Sequence, residues 1–473
     1  MSMRAFWTSE ALRAHTGGEW VQAPSRGIEP GGVRIDAREI EAGGVFVALP
    51  GERADGRKFL AQASERGAAV AIVTREGLDA FELPDGLGVL AVEDAAAALG
   101  ELARAYRETF EGTRVVGVTG SNGKTTTVRL IEAVLRGGGL RGSRSQKSYN
   151  NHLGLPVTLL NTMPGDDYVI CEMGTSSPGE IGWLAELARP DVAVIVSIGR
   201  AHLEKLGSIE GVAREKSAIV RGMGEGGTGI VPSGVGVLEA ALSGIEGRLV
   251  RVGTGDDADV RIERVGSDDA GTAFSIVTPD GTWDVHVPLP GVHNASNGAM
   301  ALAVGRACGV DFGPAIAGLA GAANESMRLT RVEVELPGGA AVVLNDAYNA
   351  NPDSVRAGLS VLAGCEPADG GRRVAVLGDL LEMGEHEAAG HAEIAGLVRT
   401  MLEEGTLGAG VLIGERFAGA GESGEGLTVL ADSGDGVMER VAGLVGPGDV
   451  VLVKGSRGMR LERVVDALRG VCR

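Results

Sequence analysis

The chain has 473 residues and a formal net charge of −19. A length of this order has room for about three domains, each large enough to bury its own core. The excess of acidic residues disfavours nucleic acid as a partner, since phosphate backbones are bound by clustered Lys and Arg. No apolar run approaches the length that crosses a membrane, and no targeting segment is visible, so we expect a cytoplasmic protein without a membrane partner.

The cysteines are widely spaced along the chain, at Cys171, Cys308, Cys365 and Cys472. This spacing fits neither a zinc site nor a disulfide framework. We therefore interpret them as small buried apolar side chains.

Residues 1–92 predict a small α/β domain. Strand-like runs at 45–49 and 68–73 lie on either side of a helical pattern at 59–66. Taken alone, the polar segment from Asp36 to Arg38 is typical of a turn between two strands.

Residues 93–325 predict a central domain whose main feature is a Gly-rich loop. A β-branched run at 115–118 predicts a buried strand before the loop, and apolar residues at helical spacing predict a helix after it. In this context backbone N–H groups and the helix N-terminus face an anion, the lysine spans terminal phosphates, and a threonine hydroxyl binds Mg²⁺. Because Val118 stands where the common pattern has glycine, the loop is a variant. The predicted nucleotide-binding residues are Gly120, Ser121, Asn122, Gly123, Lys124, Thr125 and Thr126.

Further strands at 168–173 and 192–198 alternate with helices in the central domain, which predicts a mostly parallel sheet with ligands at the carboxyl ends of its strands. Glu172 lies at such an end, where a buried carboxylate needs a metal, a cation or a helix N-terminus to cap. The short alternating strands at 248–289 predict a β-rich flap on this domain. A helix then begins near residue 291, with Asn294 or Ser296 as the expected N-cap.

Residues 326–473 predict a third, Rossmann-like α/β domain. Four apolar strand patterns separated by helical ones support this assignment. The predicted fold class is therefore α/β with three domains: a small N-terminal α/β domain, a central P-loop-type ATPase domain with a mostly parallel sheet, and a Rossmann-like C-terminal domain.

The segment TGSNGKTTT at 119–127 resembles the ATP loop of the Mur ligases and of their folylpolyglutamate synthetase relatives. The resemblance continues through AHLE at 201–204, REKSAI at 214–219 and HNASN at 293–297. It implies that ATP and Mg²⁺ are cofactors, with Thr125 and Glu172 as metal ligands and His202 beside a second Mg²⁺.

The resemblance also implies a carbamate on Lys216, which is chemically credible because burial can supply the neutral amine that CO₂ requires. The simpler alternatives are a solvated helix lysine for Lys216 and a structural histidine for His202. With Lys124 and Glu172, these two residues form the predicted catalytic set. Asn297 is assigned to adenine, Arg328 to the ATP phosphates and Asp346 to the ribose.

The implied substrate contacts extend over all three domains. Asp36 and Arg38 would hold the uridine-diphosphate end of a precursor. The sugar-peptide would be held by Asn150 and Asn151, and the peptide end by Thr175 and Ser176. The dipeptide cleft would be formed by Tyr348, Asn349 and Asn351, with Lys454, Ser456 and Arg457 on its phosphate and carboxylate side.

Three positions depart from the family pattern. Ser197 stands where asparagine is usual, Ala218 where many members have an acidic residue, and Met327 where glycine is usual. The methionine at position 327 affects the expected backbone conformation next to Arg328, because a side chain replaces glycine there.

The third-domain motifs resemble the dipeptide-adding branch of the family. They imply an ATP-dependent ligase that joins D-alanyl-D-alanine to the terminal carboxylate of UDP-N-acetylmuramoyl-tripeptide through an acyl phosphate, acting as a monomer in peptidoglycan precursor synthesis. The alternatives are a related ligase with another amino acceptor and a non-catalytic nucleotide-binding protein. The motifs leave open whether the third residue of the tripeptide is meso-diaminopimelate or lysine.

Overall fold

The computed structural model describes residues 2–51, 54–146, 149–245, 247–322, 325–368 and 370–470. It contains three β-sheets, and helices lie against their faces. The predicted three-domain α/β fold is confirmed. In these residues no helix combines the length and apolar character needed to cross a membrane.

The first sheet has five strands in the order β1-β5-β4-β3-β2, parallel except where β1 pairs with β5. Its strands are β1 (Glu19–Gln22), β2 (Val33–Arg34), β3 (Val45–Ala48), β4 (Val70–Thr74) and β5 (Gly88–Val92). The helices are α1 (Met3–Phe6), α2 (Ser9–Thr16), α3 (Leu60–Glu65) and α4 (Ala95–Arg107).

Both faces of the first sheet are covered, so the strand patterns are apolar throughout rather than alternating. Phe46 of β3 belongs to the cluster on the α3 side, whereas Val45 and Val47 belong to the cluster on the α4 side. That second cluster continues into the central domain, and the Tyr106 hydroxyl of α4 donates to Thr162 O at 2.8 Å. The first two domains therefore share one core.

The second sheet has nine strands in the order β14-β13-β12-β11-β10-β9-β6-β8-β7. Its strands are β6 (Arg114–Thr119), β7 (Gly142–Arg144), β8 (Tyr168–Glu172), β9 (Val192–Ile195), β10 (Thr228–Pro232), β11 (Arg248–Gly253), β12 (Val260–Asp268), β13 (Gly271–Thr278) and β14 (Gly281–Val287). The helices are α5 (Lys124–Gly137), α6 (Gly154–Leu160), α7 (Glu180–Ala188), α8 (Leu203–Leu206), α9 (Ile209–Arg221), α10 (Gly236–Leu242), α11 (His293–Ala307) and α12 (Phe312–Leu319).

Two local predictions for the central domain are wrong. The strands expected to form a flap, β11 to β14, instead extend the main sheet, because β11 pairs in parallel with β10, β12 pairs in parallel with β11, and β13 and β14 then add as antiparallel neighbours. Neither Asn294 nor Ser296 caps α11, because this helix already starts at His293 and no side chain caps it. Asn294 Nδ2 instead donates to Pro290 O at 2.9 Å.

The third sheet has six strands in the order β15-β16-β20-β17-β18-β19, parallel except for β15. Its strands are β15 (Thr330–Leu336), β16 (Gly339–Asp346), β17 (Arg373–Gly378), β18 (Ala409–Ile413), β19 (Leu427–Leu430) and β20 (Val450–Lys454). The helices are α13 (Pro352–Gly364), α14 (Glu387–Glu403), α15 (Glu415–Ala420), α16 (Asp435–Ala442) and α17 (Glu462–Leu468).

The cysteines mostly follow the prediction. Cys171 and Cys365 are buried, whereas Cys308 is partly exposed. Burial raises the pKa of the Cys171 thiol to about 12. Cys472 lies outside the described residues.

Candidate active site

A cleft of about 810 Å³ lies between the central and third domains, at the carboxyl ends of β6, β8 and β9 on one side and of β16 and β20 on the other. Ligands of parallel α/β sheets bind at such strand ends. The cleft brings together most of the predicted site residues: Ser121, Asn122, Gly123, Lys124, Thr125, Thr126, Asn150, Asn151, Glu172, Thr175, Ser176, His202, Asn297, Arg328, Asp346, Tyr348, Asn349, Asn351, Lys454, Ser456 and Arg457.

The Gly-rich loop joins β6 to α5 as the sequence predicts. Gly123 has φ 81°, in the region that glycine favours, and a Cβ added there would lie 2.8 Å from Asn297 Oδ1. Lys124 is the first residue of α5, and its Nζ donates to Gly120 O at 2.7 Å. Burial lowers the pKa of Lys124, and the nearby Arg328 lowers it further, whereas Glu172 acts in the opposite direction.

Glu172 is buried at the end of β8 and contacts two neutral side chains. Thr125 Oγ1 donates to Oε2 at 2.8 Å, and Asn150 Nδ2 donates to Oε1 at 3.0 Å. These contacts do not fit a helix-capping role, because the donors are side chains rather than N–H groups of a helix start. The hydroxyl and carboxylate oxygens are the ligand type that Mg²⁺ prefers, so Thr125 and Glu172 fit a metal site.

Lys216 is buried in α9, which excludes the alternative of a solvated helix lysine. In the described part of the chain, no hydrogen bond or ion pair involves its Nζ. Burial, and next the charge of Lys124, hold the pKa of Lys216 well below its usual range, although Glu215 acts in the opposite direction. A neutral amine is therefore available at this position. Lys216 does not line the cleft itself.

Ala218, one of the departures noted in the sequence, packs against the apolar core of the first two domains. It faces α7, since a Cβ added at Gly182 would lie 3.9 Å from the Ala218 Cβ. The small side chain fits this close contact between α7 and α9.

His202 lines the cleft but contacts the third domain. Its Nδ1 lies 2.6 Å from Glu382 Oε2, and this hydrogen bond lowers the pKa of the Glu382 carboxyl. The His202 backbone is left-handed, with φ 56°. Among the residues that the structure describes, no group of three His, Cys, Asp or Glu side chains forms a preassembled metal site.

The side of the cleft formed by α11 is built around Asn297. Its Oδ1 accepts a hydrogen bond from Thr127 Oγ1 at 3.3 Å, and its Nδ2 donates to Asn294 Oδ1 at 2.9 Å. His293 also lines this side, and burial lowers its pKa. His293 belongs to the HNASN segment but was not predicted as a site residue, because the residue type alone does not distinguish a cleft histidine from a structural one.

Arg328 lies at the boundary of the two domains, with its guanidinium 4.1 Å from the centre of the Tyr348 ring. The residues on either side of it, Met327 and Leu329, have φ 60° and φ 53°. This left-handed geometry fits the glycine that the family resemblance implies at position 327, since a side chain there costs about 1–2 kcal/mol. Hydrogen bonds from Tyr348 N to Met327 O and from Leu329 N to Asp346 Oδ1 hold the strained segment.

Lys454 contacts Asn349, one of the predicted dipeptide residues, and the predicted ribose residue Asp346. Its Nζ donates to Asp346 Oδ2 at 2.6 Å and to Asn349 O at 3.0 Å. Ser456 Oγ accepts a hydrogen bond from Leu381 N at 2.8 Å. Lys454 is buried beside the Asp346 carboxylate. It therefore brings a positive charge to this end of the cleft and also holds Asp346 and the Asn349 backbone in place.

Four predicted site residues lie outside the cleft lining: Asp36, Arg38, Gly120 and Lys216. Asp36 and Arg38 form an ion pair of 2.7 Å, and Asp36 caps a single helical turn. This geometry matches the turn interpretation of the segment. Gly120 still contributes to the loop, because its carbonyl oxygen accepts the hydrogen bond from Lys124 Nζ.

The contacts made by Ser197 and Arg200 were not predicted from the sequence. Ser197 Oγ donates to Asn122 O at 3.0 Å and accepts a hydrogen bond from Asn122 N at 2.9 Å. The serine at this departure from the family pattern therefore holds the Gly-rich loop. Arg200 reaches Asp353 and Glu393 of the third domain, and no motif pointed to these partners.

Comparison with known protein families gives three matches along the chain. Residues 30–107 match "Mur ligase family, catalytic domain", residues 118–305 match "Mur ligase middle domain", and residues 327–457 match "Mur ligase, glutamate ligase domain". A relative in Bacillus subtilis, UDP-N-acetylmuramoyl-tripeptide–D-alanyl-D-alanine ligase, is 36% identical over 92% of this chain and 93% of its own.

The chain belongs to the Mur ligase family. Among solved Mur ligase structures, MurF from Acinetobacter baumannii superposes with a TM-score of 0.82 at 31% identity, covering 98% of this chain and 99% of its own. The MurF ligase from Thermotoga maritima, solved in complex with ADP, has a TM-score of 0.75 at 27% identity over 93% of this chain and 97% of its own. The family resemblance seen in the sequence is confirmed.

Proposed function

We propose that the protein is an ATP-dependent ligase that joins D-alanyl-D-alanine to the terminal carboxylate of UDP-N-acetylmuramoyl-tripeptide, in cytoplasmic peptidoglycan precursor synthesis. The observation that carries this proposal is the cleft itself. It places a phosphate-binding loop and the buried Glu172 opposite the third-domain segment of Tyr348, Asn349 and Lys454. The name of the Bacillus subtilis relative supports the same reaction.

The reaction has two chemical steps. The terminal carboxylate of the tripeptide attacks the γ-phosphorus of ATP, which gives an acyl phosphate and ADP. The dipeptide amino group then attacks the acyl carbonyl, and phosphate leaves as the amide bond forms. Activation is required because a carboxylate is a poor electrophile.

The residues of the cleft divide these tasks between the two domains. The loop N–H groups and Lys124 hold the ATP phosphates and stabilise the charge that accumulates during phosphoryl transfer. Asn297 is assigned to the adenine, Arg328 to the phosphates and Asp346 to the ribose. The third domain holds the dipeptide against the acyl group, and its approach excludes water that would hydrolyse the acyl phosphate.

Thr125 and Glu172 would hold Mg²⁺, since their oxygens lie 2.8 Å apart and the described hydrogen-bond partners of the carboxylate, Thr125 and Asn150, are both neutral. The metal would neutralise phosphate charge when bound. His202 is assigned to a second Mg²⁺, which it would bind through Nε2 while Nδ1 keeps its contact with Glu382.

A carbamate on Lys216 is part of the proposal. The supporting observation is a buried amine with a lowered pKa and no partner among the described residues. Carbamylation would turn the buried amine of Lys216 into an anion next to Lys124, whose positive charge disfavours the protonated amine.

The other substrate contacts follow the family resemblance. Asn150 and Asn151 are assigned to the sugar-peptide, Thr175 and Ser176 to the peptide end, and Asp36 and Arg38 to the uridine-diphosphate end. We also propose that the domains span 1–92, 93–325 and 326–473, and that the enzyme acts as a monomer.

One ligation assay tests the function. The purified protein is given ATP, Mg²⁺, D-alanyl-D-alanine and either the lysine or the meso-diaminopimelate tripeptide precursor, and the product is identified by mass. We expect phosphate release together with a pentapeptide product from at least one precursor. Phosphate release with a different amine alone would indicate another acceptor, and no release with any acceptor would indicate a non-catalytic nucleotide-binding protein.

A further inference from the structure

The third domain is joined to the rest of the protein mainly by polar contacts. The buried apolar clusters of the third domain contain no described residue of the central domain, whereas the first and central domains share a cluster. Individual polar side chains therefore decide how the third domain docks.

One short segment of the central domain, residues 197–202, makes many of these contacts. It is tied first to the Gly-rich loop, since Ser121 Oγ donates to Gly199 O at 3.0 Å and accepts a hydrogen bond from Gly199 N at 2.9 Å. Ser121 N also donates to Ser197 O at 2.9 Å. The segment and the loop therefore form one hydrogen-bonded unit.

Arg200 links this unit to two helices of the third domain. Five hydrogen bonds join it to Asp353 of α13 and Glu393 of α14: its backbone N donates to Asp353, and its guanidinium donates twice to each carboxylate. The approach is close, because a Cβ added at Gly199 would lie 2.8 Å from Asp353 Oδ2. Asp353 lies in the first turn of α13, directly after the predicted dipeptide residues.

A second contact fixes the same helix start to the loop. Asn351, the N-cap of α13, donates from Nδ2 to Asn122 Oδ1 at 2.9 Å. Arg200 and Asn351 thus hold the start of α13 against the phosphate-binding loop from two sides.

We propose that Arg200 is a positioning residue that sets the distance between the phosphate-binding loop and the dipeptide end of the cleft. This inference rests on the proposed ligase function for its kinetic readout, but the docking itself is a structural claim. Arg200 acts through Asp353 and Glu393, and it touches no reacting atom in this role.

The test compares Arg200→Ala with Arg356→Ala in the full chain. Arg356 binds the same two carboxylates, Asp353 and Glu393, but it lies on α13 within the third domain. Both substitutions remove one arginine from one carboxylate cluster, and only the first removes a contact between domains. Arg200, Asp353 and Glu393 are 33–35% exposed, so neither change should greatly affect the Tm.

Small-angle X-ray scattering gives the decisive readout. We expect a larger radius of gyration for Arg200→Ala and the parental value for Arg356→Ala. An unchanged radius for Arg200→Ala overturns the proposal, and so does an equal increase for Arg356→Ala, which would assign the cluster to the third domain alone.

Kinetics provide the second readout. We expect kcat/KM for the dipeptide to fall on the order of 10²-fold in Arg200→Ala, as for a small misplacement of reacting groups, with partial recovery in Arg200→Lys. Arg200→Ala and Glu393→Ala should be non-additive, since they remove the same contact. Additive losses would contradict the proposal. If the parent ligates no substrate, the proposed function fails while the scattering comparison still tests the docking.

Discussion

At the scale of single residues, Lys124 is the side chain on which nucleotide chemistry depends most. The structure places Lys124 at the start of α5, where its Nζ donates to Gly120 O. We expect Lys124→Ala to lower kcat by roughly a thousandfold, as for loss of a group that stabilises charge in phosphoryl transfer. Ligation assays measure this loss. Lys58→Ala, at an exposed position, is the matched control, and normal turnover by Lys124→Ala would refute the loop assignment.

Lys216 gives a second prediction at this scale. If it carries a carbamate, Lys216→Ala removes an anion, and we expect a severe loss of ligation with partial recovery in added acetate or formate. The parent should also depend on bicarbonate. Lys216→Met serves as the control for packing, because it keeps the aliphatic volume but cannot be carbamylated. Full activity in either variant would rule out the carbamate.

At the scale of an element, the Gly-rich loop needs a left-handed residue at its junction with α5. We expect Gly123→Ala to raise the KM for ATP at least tenfold, because the added Cβ would meet Asn297 Oδ1 as well as strain the backbone. Gly112→Ala is a close control, since Gly112 has φ 82° and open space around its Cα. It should lose about 1–2 kcal/mol of stability at most and keep its KM. Equal changes in KM for the two variants would contradict the assignment, because Gly112 lies outside the cleft lining.

At the scale of the whole molecule, the third domain should set the acceptor amine. Its apolar clusters are separate from those of the central domain, so a junction near residue 326 leaves both cores intact. We expect a chimera that carries the third domain of a lysine-adding relative to lose D-alanyl-D-alanine ligation. Retained use of the dipeptide by a folded chimera would show that the central domain selects the amine.

The sequence by itself determined the elements whose patterns are local. The β-branched run before the Gly-rich loop predicts β6, and the loop residues from Gly120 to Thr126 predict the phosphate site, because strand, loop and helix follow one another directly. The alternation of strands and helices likewise predicts the parallel sheets. Short strands such as β1 and β19 were not predicted, since four residues of mixed polarity carry little periodicity.

Only the tertiary structure decided which distant side chains meet. It placed Glu382 on His202 and Asp353 with Glu393 on Arg200, across separations in sequence that no spacing rule reports. It also showed that Lys216 is buried. The sequence could not decide this, because a lysine on the solvent face of a helix and a lysine on its core face are the same residue type. Burial and contact between domains depend on how whole sheets pack, and this is why the loop could be predicted from the chain while its partners in the third domain could not.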